Sequence, residues 1–178
     1  MLDFILLGML REDASGYELK ARFEKSAVHF WSADQSQIYR TLKRMETKGW
    51  LRSRTEASPD GPDRRIFART EAGAGVLEAW LREEPEMPVL RQSFVGQLFY
   101  MGELDDLEET IAFLGRLREE LRARVAALET LEVDIDDIHD LHASLSLELG
   151  LAVARARLEW CERAVRRVRS TTSHRKKT

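Results

Sequence analysis

The sequence holds a single cysteine, Cys161, in 178 residues, which excludes an internal disulfide and with it a disulfide-stapled secreted fold. A reducing cytoplasm is the compartment that such cysteine usage fits. Proline (4) and glycine (10) are scarce, so a mainly helical chain with few turns is expected. No apolar run approaches the roughly 18 residues that span a bilayer. The short run Phe4 to Leu10 follows Asp3 instead of a basic segment and leads into Arg11, Glu12 and Asp13, so it reads as a folded helix and not as a signal. The sequence also lacks a glycine-rich phosphate loop, a Ser-His-Asp order with local support and a recognisable catalytic carboxylate pair. Neither catalysis nor a cofactor is expected.

Charge is nearly balanced, at −3, but unevenly placed. Residues 1–80 carry 13 basic and 12 acidic side chains, residues 81–140 carry 6 and 16, and residues 141–178 carry 9 and 3. Within the first block, residues 34–69 hold nine basic groups against five acidic ones. Phosphates respond to the field within a Debye length of about 8–10 Å, so this basic surface counts for more than the acidic average.

The pattern of the first 80 residues defines three helices, a ribbon and a fourth helix. Leu2, Ile5, Leu6, Met9 and Leu10 fall at helical spacing. Ser15-Gly16-Tyr17-Glu18 is a capping box that starts a second helix through about Lys25. Val28 to Trp31 is a short β-favouring run, after which Asp34-Gln35-Ser36-Gln37 caps a third helix. That helix places Ile38, Leu42 and Met45 on one face and stops at Gly49. The period then switches to two over residues 50–56 and 65–69, and Pro59, Asp60, Gly61 and Pro62 make a turn between them. Thr70-Glu71-Ala72-Gly73 caps a fourth helix with Val76, Leu77, Trp80 and Leu81 apolar. This order is that of a winged helix-turn-helix with a two-stranded wing, whose third helix fits a major groove.

Residues 84–88 read as a linker and residues 89–169 as a helical, coiled-coil-like dimerisation domain, while residues 170–178 read as a disordered basic tail. Helical patterns cover residues 89–101, then Leu107 to Leu128, then about 136–169. The last carries two apolar stripes. One contains Ile138, Leu141, Leu145, Leu149, Ala152, Ala156 and Trp160; the other contains Leu147, Leu151, Ala154, Leu158, Cys161, Val165 and Val168. A hairpin with the preceding helix covers one stripe, so the other is expected at a homodimer interface, where Gly150 permits close approach. Leu145, Leu147, Leu149, Leu151, Ala154, Leu158 and Trp160 are the expected dimerisation residues.

Five ordered blocks carry a family resemblance: Leu6-Leu7-Gly8-Met9-Leu10, Ser15-Gly16-Tyr17-Glu18-Leu19, the stretch from Ser36 to Glu46, Gly61-Pro62-Asp63-Arg64-Arg65-Ile66-Phe67, and Thr70-Glu71-Ala72-Gly73. Their order and spacing resemble the PadR family of bacterial transcriptional regulators. The Phe94 to Phe99 region and Leu158-Glu159-Trp160 resemble the C-terminal domain of its longer subfamily. Ser36 stands where the family often has glycine, and Arg69 where it often has an apolar residue, departures that bear on which DNA is read. The resemblance implies a homodimeric winged-helix repressor released from its operator by a small-molecule effector or another cue.

With Ile38, Leu42 and Met45 turned inward, the opposite face of helix three exposes Ser36, Gln37, Arg40, Thr41, Arg44 and Lys48. Gln37, Arg40 and Thr41, near the helix start, are assigned to bases; Lys43, Arg44 and Lys48 are assigned to phosphates. Tyr39 matches the family's contact to the DNA backbone, and Arg64 and Arg65 are assigned to wing contacts. The acidic block 81–140 is expected to repel DNA and restrict contact to the winged face. Phe94, Phe99 and Tyr100 are candidates to line an effector pocket between the domains.

Rival readings stay open at this level. The winged helix could serve as a protein-interaction module with only non-specific DNA affinity, or the chain as a ligand carrier, although the carrier reading leaves the basic ribbon unexplained. Asp136, His139, Asp140 and His142 place two imidazoles and two carboxylates close together, but an acidic helix start is favoured by the macrodipole without a metal, and none is assigned. Cys161 sits on an apolar stripe and reads as a structural thiol.

Overall fold

The computed structural model describes residues 1–27, 30–57, 63–87, 91–131, 133 and 136–175, with side chains as far as residue 171. Val28, His29, the turn 58–62, the end of the linker with Val89 and Leu90, and Asp134 lie outside the described residues. The chain divides into two compact units, Met1–Glu86 and Met87–Thr178.

The first unit runs α1 (Leu2–Met9), β1 (Ala14–Ser15), α2 (Gly16–Ser26), α3 (Gln35–Thr47), β2 (Leu51–Glu56), β3 (Arg64–Arg69) and α4 (Glu71–Leu81). Its core joins Leu6, Leu7 and Leu10 of the α1 segment to Leu19 and Phe23 of α2, Ile38, Leu42 and Met45 of α3, and Leu51, Phe67 and Leu77. Each such side chain contributes about 1.5–3 kcal/mol by leaving water. Phe4 stacks on Trp80 with ring centroids 4.7 Å apart, which ties α1 to α4, while Leu81, expected on the apolar face of α4, is exposed.

Two features depart from the pattern. The sheet has three strands, ordered β1-β3-β2, because Ala14 and Ser15 pair antiparallel with Phe67 and Ile66. A two-residue strand is too short to show a period, and Ser15 also serves as the cap of α2, which masks its second role. The described part of the β-favouring run, Phe30 and Trp31, is no strand: both amides turn back to the Ala27 carbonyl, and Trp31 packs against the core. At the end of α3, Trp50 N–H donates to Met45 O and Gly49 N–H to Glu46 O, each at 2.9 Å, with Gly49 at φ 73°. This is a Schellman stop, and it turns the chain directly into β2.

The second unit holds α5 (Ser93–Tyr100), a 3-10 turn (Met101–Leu104), α6 (Leu107–Glu129) and α7 (Ile138–Arg175). α6 and α7 pack antiparallel, since Leu114 and Leu117 meet Cys161 and Val165 while Val125 and Leu128 meet Leu147 and Ala154. Ion pairs Arg122–Glu162 (3.1 Å) and Arg155–Glu129 (2.8 Å) flank the seam. Of the tail expected to be disordered, residues 170–175 continue α7 to Arg175, with the Ser170 and Thr171 hydroxyls donating to the Arg167 carbonyl, and residues 176–178 lie outside the described residues. Among the described residues no helix is long and apolar enough to cross a membrane.

Candidate nucleic-acid interface

The site is built on the start of α3. Asp34 accepts the Gln37 amide and the Ser36 hydroxyl, both at 2.7 Å, and its own amide donates to Gln37 Oε1 at 2.9 Å. The Ser36 hydroxyl, then the Gln37 amide, hold the Asp34 carboxyl below its ordinary value, which keeps it charged where the helix dipole favours an anion. Ser36 and Gln37 therefore build the cap, and the Gln37 amide nitrogen is left to donate to a ligand.

Thr41 is a correction. It is 5% exposed, because it stands three residues after Ile38 and four before Met45, inside the stripe that faces the core. It cannot reach a base. Tyr39, Arg40, Lys43, Arg44 and Lys48 are on the outer face. The Tyr39 ring lies over Gly16 at the start of α2, so close that a Cβ there would fall 2.6 Å from its Cε1 and Cζ; this contact sets the two helices of the helix-turn-helix against each other.

Several of the assigned cations are already engaged. Arg44 pairs with Asp3 of α1. Lys48 Nζ lies 4.2 Å from the Trp50 ring centroid, a cation–π contact. Arg65 donates to Glu46 Oε2 at 2.5 Å and to Ser53 Oγ at 2.9 Å, and stands 5.3 Å over the Phe67 ring. The hydrogen bond from Ser53, and then Arg65, keep the Glu46 carboxyl below its ordinary value. On the other face of the ribbon Arg54 pairs with Asp13 and with Glu56, which raises its pKa further. Among the described residues Arg40, Lys43 and Arg64 make no salt bridge, and all three are exposed.

Sequence reasoning missed Glu46, Asp13 and Arg54 as parts of the wing's attachment, and Tyr17, an exposed aromatic hydroxyl in the first turn of α2. Period two would have placed Ser53 and Arg65 on one face of the ribbon; nothing local would have brought Glu46 to them.

In the second unit, Leu147, Leu151, Ala154 and Leu158 pack against α6, and Trp160 packs in the cluster around Leu114 and Cys161. These five were expected at a dimer interface; within the chain Leu147 and Ala154 are buried against α6, while Leu151, Leu158 and Trp160 are half-buried, Trp160 coming from the other stripe. Leu145 (54%) and Leu149 (67%) remain exposed. Phe94 is half-buried, whereas Phe99 and Tyr100 are exposed, their rings edge to face at 5.0 Å. The carboxylates before α7 serve its backbone: Asp137 accepts the amides of His139 (2.6 Å) and Asp140 (3.0 Å). Among the described residues no group of three His, Cys, Asp or Glu side chains is placed to hold a metal.

A four-helix unit with a β wing, its third helix presenting a basic outer face, has the winged helix-turn-helix fold. Residues 5–79 match the transcriptional regulator PadR-like family, and residues 90–169 match the virulence activator alpha C-terminal family. Residues 5–79 are thus similar to PadR-like transcriptional regulators, and residues 90–169 to the C-terminal domain of a virulence activator. Those proteins are regulators and not enzymes. The probable transcriptional regulator Rv1176c of Mycobacterium tuberculosis is 39% identical over 79 residues, which is 44% of this chain and 42% of that protein. The negative transcriptional regulator PadR of Bacillus subtilis is 28% identical over 134 residues, 74% of this chain and 71% of that one. Solved structures of Bacillus subtilis PadR share the fold: in complex with operator DNA the TM-score is 0.82 at 23% identity, covering 94% of this chain and 98% of that one. In complex with p-coumaric acid it is 0.75 at 22%, with the same coverage.

Proposed function

We propose that this chain is a homodimeric, cytoplasmic repressor that binds a pseudo-palindromic operator with α3 in the major groove and the wing beside it. The observation that carries the reading is the outer face of α3, where Arg40 and Lys43 stand exposed opposite the buried Ile38, Leu42 and Met45. Arg40, near the helix start, suits the edge of a guanine, and the amide nitrogen of Gln37 suits an acceptor such as adenine N7. Lys43, Tyr39 and Arg64 are assigned to phosphates. Arg44 and Lys48 reach phosphate only by leaving Asp3 and Trp50.

Dimerisation is assigned to the exposed stripe of α7 that includes Leu145 and Leu149, and two recognition helices related by a two-fold axis call for a two-fold related site. Repression is supported by the name of the Bacillus relative, and release by a small aromatic acid is supported by the p-coumaric acid complex of that same protein. Phe94, Phe99 and Tyr100 are the aromatic groups assigned to such an effector. The test is titration of a labelled duplex from upstream of the protein's own gene against a scrambled duplex at two salt concentrations. Tighter binding of the native duplex, with both affinities falling as salt rises, supports a sequence-specific regulator. Equal binding of the two would favour the protein-interaction reading.

A further inference from the structure

We propose that Glu46 is a positioning residue that fixes the wing against the recognition helix, and that Arg65 serves this purpose and not a phosphate. The inference rests on the DNA-binding reading above. Glu46, Ser53 and Arg65 form a closed ring of hydrogen bonds: Ser53 Oγ donates to Glu46 Oε1 at 2.6 Å, Arg65 Nη2 to Glu46 Oε2 at 2.5 Å, and Arg65 Nε to Ser53 Oγ at 2.9 Å. The three residues come from α3, β2 and β3, so the ring joins the helix to both strands of the wing.

The wing needs such a fastening. β1 pairs only with Ile66 and Phe67, so towards the tip Thr55, Glu56, Arg64 and Arg65 have one partner strand each. A ribbon of two strands is marginal by itself and free to twist. Side chains alternate between its faces, which puts Ser53, Arg65 and Phe67 on the side of α3 and Arg54, Glu56 and Arg64 on the other. The Asp13–Arg54–Glu56 pairs hold that second face. Arg64 is then presented at an angle set by α3, the element that reads the groove. Arg65 reaches Ser53 and Glu46 through two separate nitrogens of a planar fork, whereas a lysine has one nitrogen to serve both and no fixed plane.

The test measures binding of a fluorescein-labelled upstream duplex by anisotropy across about 50 to 200 mM salt, for the full chain and the variants R64A, R65A, R65K, E46Q and E46Q/R65A. A phosphate contact contributes about 0.9 to the slope of log affinity against log salt, and R64A is expected to lose that amount. R65A and R65K are both expected to weaken binding about tenfold with the wild-type slope, as losing a charge-assisted bond would. E46Q is expected to weaken binding although it removes a negative charge from the DNA-facing side, and E46Q/R65A to be no weaker than R65A. The proposal is overturned if R65A loses about 0.9 of slope and R65K restores it, if E46Q tightens binding, or if R65A costs as much in the E46Q chain as in the wild type. Thermal melts show whether R65A folds, and R65K carries the test if it does not. Failure of the wild-type chain to bind any duplex would overturn the DNA-binding reading itself, and this inference with it.

Discussion

The same substitution at two glycines is expected to give opposite phenotypes. In Gly16→Ala the new Cβ falls 2.6 Å from Cε1 and Cζ of Tyr39 and 2.7 Å from its hydroxyl. Ordinary carbon contacts begin near 3.5 Å, so the ring must retreat by about 1 Å. It has room, being 42% exposed, and Gly16 has no left-handed backbone to forbid alanine. Folding stability is therefore expected to change by less than about 1 kcal/mol, with alanine's better helix propensity offsetting the displaced ring. A retreat of about 1 Å carries a hydroxyl from about 2.8 Å of a phosphate oxygen to beyond the 3.5 Å at which a hydrogen bond is lost. A bond to a charged acceptor is worth about 1.5 kcal/mol, so affinity for the upstream duplex is expected to fall about tenfold. In Gly73→Ala the Cβ falls 2.2 Å from the Trp50 carbonyl oxygen and 3.0 Å from its carbon. That carbonyl cannot retreat, because it accepts the Thr70 amide at 3.1 Å while the Thr70 hydroxyl donates to Gly49 O at 2.7 Å and caps the Gly73 amide. The expected cost is about 3 kcal/mol of stability. Urea unfolding and DNA anisotropy on both variants decide the matter. Wild-type affinity in Gly16→Ala refutes the role given to Tyr39, and wild-type stability in Gly73→Ala refutes the rigidity of the α4 junction.

Glu18 is held below the ordinary 4.5 of a glutamate, first by the Ser15 amide and then by its hydroxyl, and Glu46 by Ser53 and then Arg65. Lowered carboxyls stabilise the fold above about pH 4.5 and cease to do so as pH falls through their folded values, so the melting temperature should drop in that acid range and E46Q should flatten the drop. Burial pushes the Cys161 thiol up, and it donates to Leu114 O at 3.3 Å; maleimide should leave the native chain unlabelled near pH 7 and react once it is unfolded in urea. The two stripes of α7 separate by mutation: Leu145→Glu with Leu149→Glu should give a folded monomer by light scattering, whereas Leu147→Ala should cost about 2–4 kcal/mol because it opens the α6–α7 seam. With Arg40, Lys43 and Arg64 as the phosphate and base cations of each protomer, a dimer covers about six charges and should show a salt slope of about −5; a slope of twice that size would mean that other cations reach DNA as well, Arg52 and Lys48 or arginines such as Arg44, Arg54 and Arg65 that must first leave their carboxylates.

Most of the fold is legible because each element is announced within a few residues. Ser15 with Glu18, Asp34 with Gln37 and Thr70 with Gly73 are caps that need no distant partner, and the structure forms all three. The reading fails where burial depends on something further along the chain. Thr41 reads as surface by its chemistry, yet the stripe of Ile38, Leu42 and Met45 is wide enough to take in position 41. Two apolar stripes on α7 are plain from period alone. Which of them faces α6 depends on the register of the pair, set by contacts such as Leu114 with Cys161, 47 residues apart.

The site is less legible than the fold for a reason of the same kind. A run of nine cations between residues 34 and 69 shows how much positive charge is present but not how much is spent inside the unit. Asp3 and Asp13 each lie 41 residues from the arginines they hold, Arg44 and Arg54. Glu46 sits in the basic run itself and is taken there as diluting it; in the fold it organises the wing. An exposed ion pair contributes about 0–1 kcal/mol to stability, so these carboxylates are poor candidates for holding the unit together. Their effect is on geometry. Each fixes one arginine's direction on a surface where a displacement of about 1 Å decides whether a hydrogen bond to DNA forms. Among the described residues of the run Arg40, Lys43, Arg52 and Arg64 are exposed and make no salt bridge, and these are the ones left to move onto a phosphate or a base edge when the ligand arrives.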